Sequence, residues 1–169
     1  MAGALIVTAE IGPADLAWLD QLRRAHYPAD CNRVPAHLTI FHALPPSAEA
    51  EVRSTLTRLA ADRPPRASIQ GVMDLGGGVA FRVESVDLDR MRRELVDHFH
   101  GLLGAQDAGG WRPHVTIQNK VAPKESRALI GRLQAGFRPR PLAIGGLGLH
   151  RYLGGPWERL AAYPFRGVR

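Results

Sequence analysis

Two short motifs in this sequence place a histidine and a threonine at the same spacing. The first is HLTI at positions 37–40, and the second is HVTI at positions 114–117. With seven histidines and five threonines in 169 residues, chance supplies about 0.2 His-x-Thr occurrences. Two occurrences, each with apolar residues at the intervening and following positions, exceed that expectation. They indicate that the two motifs act in one function.

Residue types at this spacing suit phosphodiester chemistry. On a strand, residues i and i+2 point to the same face, so each motif presents one imidazole and one hydroxyl together. A neutral histidine accepts a proton from water while a protonated one donates to a leaving oxygen, each role contributing about 10²–10⁴ in rate. The threonine hydroxyls donate hydrogen bonds to phosphate oxygens as charge develops. The predicted catalytic residues are His37, Thr39, His114 and Thr116.

Two other interpretations of the motifs carry less weight. A single His-x-Thr is ordinarily just the half-exposed face of a strand, but two copies at equivalent places argue against that. A metal site built on the histidines would need carboxylate or thiolate partners, and the sequence offers no nearby cluster of them. The sequence therefore predicts no metal and no cofactor.

The elements around the motifs repeat in the same order, strand–helix–strand–helix–strand. His114 follows His37 by 77 residues, and the same offset takes Leu5 into a later strand and Ser47 to a later helix start near Pro123. The predicted strands cover 5–11, 37–44, 67–73, 79–85, 112–120, 141–153 and 157–165. The predicted helices begin at Pro13, after a Ser47 cap, at the 88–102 apolar stripe and at Pro123. We expect one α+β domain over 1–169 with two pseudo-symmetric lobes, approximately 1–75 and 76–169, between which strands can be exchanged.

At these residues the chain resembles the 2H phosphoesterase superfamily, in particular bacterial 2′-5′ RNA ligase-like (LigT-like) proteins. The surrounding segments VPAHLTIFHALP and RPHVTIQNKV share the resemblance. It implies a bilobal fold of two antiparallel sheets lining a central cleft with helices outside. It also implies cyclic phosphodiesterase activity, in some members with 2′-5′ RNA ligation, and it assigns the catalytic roles to the two His-x-Thr pairs.

One position departs from the pattern of that family, in which a basic residue often follows the second histidine by five places. Asn119 stands there, and Lys120 is next to it. On an ideal strand Lys120 shares the face of His114 and Thr116, so we expect it to take over the phosphate contact. This departure bears on substrate affinity and ligation more than on hydrolysis.

Further residues are candidates for contact with substrate. Phe41 lies four places after His37 and either stacks on a base or packs in the core. Arg151 and Tyr152 on a late strand either contact phosphate and a base or ribose, or belong to an ordinary exposed strand end. His42, at an odd offset from His37, is expected on the opposite face with a structural role, unless a β-bulge re-aims it.

Net charge and composition indicate which binding partners and which cellular compartment to expect. A net charge of +6 and a pI near 10.4 favour polyanions, although basic composition alone is weak support. The single cysteine, Cys31, excludes an internal disulfide and indicates a reducing cytoplasm. The apolar N-terminus looks like a first strand, not a signal peptide, and no segment predicts a membrane span. We expect a cytoplasmic monomer whose partner is an RNA terminus or a cyclic nucleotide.

Three functions remain in order of preference. The first is a metal-independent phosphodiesterase that hydrolyses 2′,3′-cyclic phosphates by paired histidines. The second is a non-catalytic module that holds RNA or an AMP-like nucleotide in the same cleft, although binding alone does not require two histidines. The third is a pure interaction domain.

Overall fold

The computed structural model describes residues 3–168 as an α+β fold. The strands are β1 (Leu5–Ile11), β2 (Leu38–Leu44), β3 (Ala67–Asp74), β4 (Val79–Glu84), β5 (His114–Gln118), β6 (Arg140–Leu142), β7 (Ile144–Tyr152) and β8 (Trp157–Pro164). The α-helices are α1 (Pro13–His26), α2 (Glu49–Leu59), α3 (Val86–Phe99), α4 (Ala105–Ala108) and α5 (Pro123–Ala135). Short 3₁₀ turns precede α2 and follow α3.

The strands form one eight-stranded antiparallel sheet in the order β6-β3-β4-β5-β2-β1-β7-β8. The two sheets implied by the resemblance are the two four-stranded halves of this sheet, and they join where β2 meets β5. That junction has a single residue pair in register, Leu38 opposite Val115. Because β7 and β8 return to pair beside β1, the half that holds β2 takes strands from both ends of the chain.

Apolar alternation along the motif strands builds the core. Leu38, Ile40, Val115 and Ile117 are all buried, as the alternation predicts. Helix α1 packs against β5, and α5 packs against β3 and β4. The helix that follows β1 therefore supports a strand of the other half of the sheet.

A serine side chain caps the N-terminus of α3, whereas no side chain caps α2. The Ser85 hydroxyl accepts a hydrogen bond from the Leu88 N–H at 3.0 Å and caps α3. The cap predicted at Ser47 is wrong, because a 3₁₀ turn (Pro46–Ala48) comes first and Ala48 occupies the cap position without a side-chain bond.

The Gly76–Gly78 segment forms the predicted turn between β3 and β4. Gly76 has φ of +85°, which favours glycine. A Cβ on Gly78 would lie 2.1 Å from the Gln118 carbonyl oxygen, so only glycine lets this turn approach β5 so closely. The turn therefore packs β3 and β4 tightly beside the second motif strand.

Within residues 3–168, no helix combines the length and the apolar composition that crossing a membrane requires.

Candidate functional site

The two motifs meet at the junction between the halves of the sheet. Leu38 and Val115, the central residues of the two motifs, lie opposite each other on antiparallel strands. In such a pair, the residue before one centre lies beside the residue after the other. Each histidine therefore neighbours the threonine of the other motif, and all four side chains line one cleft of about 560 Å³. They are His37, Thr39, His114 and Thr116.

Both motif imidazoles are held in the same way. His37 Nδ1 lies 2.8 Å from the Pro35 carbonyl oxygen, and His114 Nδ1 lies 2.7 Å from that of Arg112. A carbonyl only accepts hydrogen bonds, so Nδ1 carries the proton in each ring and Nε2 is left to exchange protons with a ligand. The arrangement supplies two oriented proton-transfer groups, related by the pseudo-symmetry of the motifs.

The surroundings of His37 favour its neutral imidazole, which is the form that can accept a proton. Its ring packs against the Trp157 indole with centroids 4.5 Å apart. The pKa of His37 is lowered to about 4, chiefly by desolvation on burial. The hydrogen bond to Pro35 acts against this lowering, and the nearby charges of Arg23, His150 and His42 add to it. At pH 7 the His37 imidazole is therefore neutral.

Most of this chain matches a known protein family. The model of the 2′-5′ RNA ligase superfamily matches residues 12–156. The chain belongs to the 2′-5′ RNA ligase superfamily. The resemblance to LigT-like 2H phosphoesterases is thereby confirmed, and with it the α+β fold and the class of enzyme.

Solved structures share the fold at low sequence identity. The protein TT0787 of Thermus thermophilus matches with a TM-score of 0.66 and 19% identity, over 98% of this chain and 100% of that one. E. coli LigT complexed with 3′-AMP matches with a TM-score of 0.57 and 17% identity, over 98% and 99% of the two chains. A protein described as a phosphoesterase gives a TM-score of 0.60 at 14% identity, over 98% and 99%. No curated protein matches the sequence.

Irregular pairing of β2 in this 2H phosphoesterase decides which side chains reach the cleft. Along β1, Thr8 pairs with Thr39 but the next residue, Val7, pairs with Phe41, so β2 carries an extra residue there, and a second irregularity follows. Phe41 is consequently 0% exposed and belongs to the core, so the base-stacking role predicted for it is wrong. His42 is turned into the cleft instead, where it lines the wall.

Three other predicted substrate contacts lie outside the cleft. Strand β5 ends at Gln118, and Lys120 follows in a left-handed conformation (φ +61°), so the ideal-strand geometry that would align it with His114 does not apply. Arg151 forms ion pairs with Glu49 at 2.6 Å and with Glu158 at 3.6 Å. Tyr152 likewise does not line the cleft. The structure does not bring Lys120, Arg151 and Tyr152 to the two motif histidines.

Two buried arginines that sequence reasoning missed hold the motif strands in place. Arg23 on α1 donates to the Thr116 carbonyl oxygen at 2.9 Å. Arg92 on α3 donates to the Ile40 carbonyl oxygen at 3.3 Å and lines the cleft. A signal was available in the sequence, because each arginine lies four positions after a buried leucine on its helix. An arginine at such a position must either find partners or emerge at a site.

Two tryptophans of the cleft were also missed. Trp157 opens β8 and contacts His37, and Trp111 donates its indole N–H to the Thr39 carbonyl oxygen at 3.1 Å. Trp111 lies in the stretch before β5, where neither periodicity nor a motif marks it. Aromatic rings beside the two motif histidines offer stacking surfaces for a base or a ribose.

Removing the Trp157 ring is expected to raise the pKa of His37 from about 4 toward its ordinary value of 6.5, because desolvation is the largest cause of the lowering. Titration of the imidazole NMR signals in Trp157→Ala measures this change. Trp111→Ala is the matched control, since that indole bonds the Thr39 carbonyl and not the His37 ring. An unchanged His37 titration in Trp157→Ala would contradict the assigned cause.

Proposed function

We propose that this 2H phosphoesterase hydrolyses 2′,3′-cyclic phosphates at RNA ends or on nucleotides without a metal ion. The observation that carries the proposal is the pair of imidazoles in one cleft, each with Nδ1 held by a backbone carbonyl and Nε2 left free. Cyclic phosphate opening needs one group to accept a proton and another to donate one, and the pair supplies both.

The proposed reaction uses the two histidines in different roles. Neutral His37 accepts a proton from water, the water oxygen forms a bond to phosphorus, and the bond from phosphorus to one ribose oxygen breaks. His114 in its protonated form donates a proton to that oxygen, which leaves as a hydroxyl. Thr39 and Thr116 donate hydrogen bonds to the nonbridging oxygens. His37 is assigned the base role because its lowered pKa keeps it neutral at pH 7.

The same groups serve a second nucleophile. If a 5′-hydroxyl takes the place of water, attack on the cyclic phosphate forms a new phosphodiester, which is the ligation for which the superfamily is named. His37 then accepts the proton of the 5′-hydroxyl, and His114 again donates a proton to the ribose oxygen that leaves. We therefore propose ligation as a secondary activity of the same cleft.

Nucleotide ligands of a structural neighbour support the choice of substrate. E. coli LigT has been solved in complexes with 3′-AMP, phosphate, NADP⁺ and ATP. These complexes also favour the second candidate, a module that binds an AMP-like nucleotide or RNA without turnover. The two candidates differ in whether bound cyclic phosphate is opened.

The test is incubation of EDTA-treated protein with a short RNA that ends in a 2′,3′-cyclic phosphate. We expect ring opening, with a product identified by mass and by sensitivity to phosphatase. The identity of the product, a 2′- or a 3′-phosphate, shows which ribose oxygen leaves. Binding of the RNA without opening would replace the enzyme by the binding module, and loss of opening on EDTA treatment would refute the metal-free mechanism.

A further inference from the structure

A third histidine is fixed in the cleft by a buried carboxylate. Asp107 on α4 is 2% exposed, and its oxygens accept the Nδ1–H of His42 at 3.0 Å and the backbone N–H groups of His42 and Ala43, each at 2.9 Å. A carboxylate oxygen in this position accepts a hydrogen bond from Nδ1–H, so Nε2 of His42 is the ring nitrogen available to a ligand. The His42 side chain is 39% exposed and lines the cleft.

Hydrogen bonds to the Asp107 carboxylate favour its ionised form. Burial by itself would raise the pKa of Asp107, but the hydrogen bonds from the His42 ring and from the backbone N–H groups of His42 and Ala43 lower it overall. Arg92 lies against it and donates to the Asp107 carbonyl oxygen at 2.6 Å. The buried carboxylate therefore orients His42, and backbone N–H groups hold it in place.

Two guanidinium groups lie among the residues that line the cleft. Arg92 is buried yet lines the cleft, and Arg112 is exposed and forms no ion pair with any residue of the described range 3–168. Besides Asp107, the acidic residue among the described lining is Asp74, which accepts the Gly76 N–H at 2.7 Å. Cationic groups that face one cleft wall attract anions, and guanidinium groups match phosphate geometry.

Arg112 lies close enough to His114 to contact a second phosphate of the same nucleotide. Arg112 precedes His114 by two residues, a chain distance of at most about 7 Å, and its carbonyl holds the His114 ring. A phosphate bound there lies within one nucleotide of the cyclic phosphate. The phosphate nearest to a 2′,3′-cyclic end is the one on the 5′ oxygen of the same nucleotide.

We propose that the end of the cleft formed by His42, Arg92 and Arg112 binds the 5′-phosphate of the terminal nucleotide, whether free or esterified within an RNA chain. This inference deepens the proposed function and rests on it, because the 5′-phosphate is placed relative to the phosphate that reacts. The subsite favours 5′-phosphorylated ends over nucleosides that carry only the cyclic phosphate.

Binding of product-like nucleotides tests the subsite without requiring turnover. Calorimetry compares adenosine 3′-monophosphate with adenosine 3′,5′-bisphosphate, and the dinucleotide ApAp adds the esterified form of the same phosphate. We expect the wild type to bind the bisphosphate about 10-fold more tightly than the monophosphate, as a charge-assisted contact provides. In His42→Gln and in Arg112→Gln the ratio is expected to fall below about 3. Lys124→Gln, which removes an exposed charge on α5, is the control and keeps the ratio.

The outcomes separate the subsite from the chemistry. If the wild type binds neither the bisphosphate nor ApAp more tightly than the monophosphate, the subsite is overturned, and a preference that survives in both variants overturns it as well. Exposed Arg112 has no ion pair to lose within the described residues, so its variant keeps the test valid if His42→Gln fails to fold. A preference for ApAp alone assigns the subsite to RNA chains. If the ratio behaves as expected but cyclic phosphate is never opened, the proposed hydrolysis fails while the subsite stands.

Discussion

Replacing His114 with alanine is expected to lower kcat for a 2′,3′-cyclic phosphate by about 10²–10⁴, because the leaving ribose oxygen then departs without a proton. His37→Ala is expected to lose a similar factor, because no group remains to take the proton from water. Both histidines line the cleft and bond only backbone carbonyls through Nδ1, so we expect neither change to unfold the protein. Initial rates under saturating substrate measure the effect.

A substrate with a better leaving group separates the two roles. A deoxynucleoside 3′-(4-nitrophenyl phosphate) releases 4-nitrophenolate, which needs no proton to leave. Hydrolysis of this diester should therefore be restored in His114→Ala but not in His37→Ala. Restoration in His37→Ala instead would reverse the assignment of acid and base.

The exposed histidine His100 provides the control for both variants. Its Nδ1 bonds the Asp97 carbonyl oxygen outside the cleft, so His100→Ala removes an imidazole without touching the site. We expect wild-type rates from it with both substrates. If His37→Ala and His114→Ala were as active as this control, the paired-histidine mechanism would be wrong.

The pH dependence follows from the same assignment. A base works only when deprotonated, so activity falls as the pH drops through the pKa of His37. Since that pKa is about 4, His37 sets no loss of activity between pH 5 and 7. The wild-type profile of kcat/KM against pH measures this. A decline already between pH 7 and 6 would show that a group other than His37, or His37 with a higher pKa, limits activity.

Local patterns predicted the framework of this protein because they follow from periodicity. Alternation predicts β1 at 5–11 with the bounds that the structure has, and it predicts the burial of Leu38 and Val115. The duplicated His-x-Thr motifs predicted the family, because two copies at matching places in a repeat carry information that one does not. Both features, periodicity and duplication, can be recognised from one sequence without an alignment.

The contacts around the catalytic pair were predicted poorly, since they depend on departures from regular geometry. The irregular pairing of β2 exchanges the places of Phe41 and His42, and the early end of β5 takes Lys120 out of line with His114. Each departure is set by pairing with another strand or turn far away in sequence. Asp107, on a four-residue helix with no apolar periodicity, meets His42 only in the folded chain.

Leu38→Ala is expected to lower the free energy of unfolding by about 3–5 kcal/mol, the range for deletion of a fully buried leucine side chain. Leu38 is 0% exposed and opposes Val115 in the residue pair that joins the two halves of the sheet. Urea unfolding should show a lower midpoint with an unchanged slope. Leu153→Ala, at a leucine that is 52% exposed, is the matched control and should stay within about 0.5 kcal/mol of the wild type.

The pair of Leu38 and Val115 also sets each histidine beside the opposite threonine. Leu38→Ala should therefore lower kcat as well, measured under conditions in which the variant is fully folded. A loss of stability below about 1 kcal/mol, with kcat unchanged, would show that this junction does not align the two motifs.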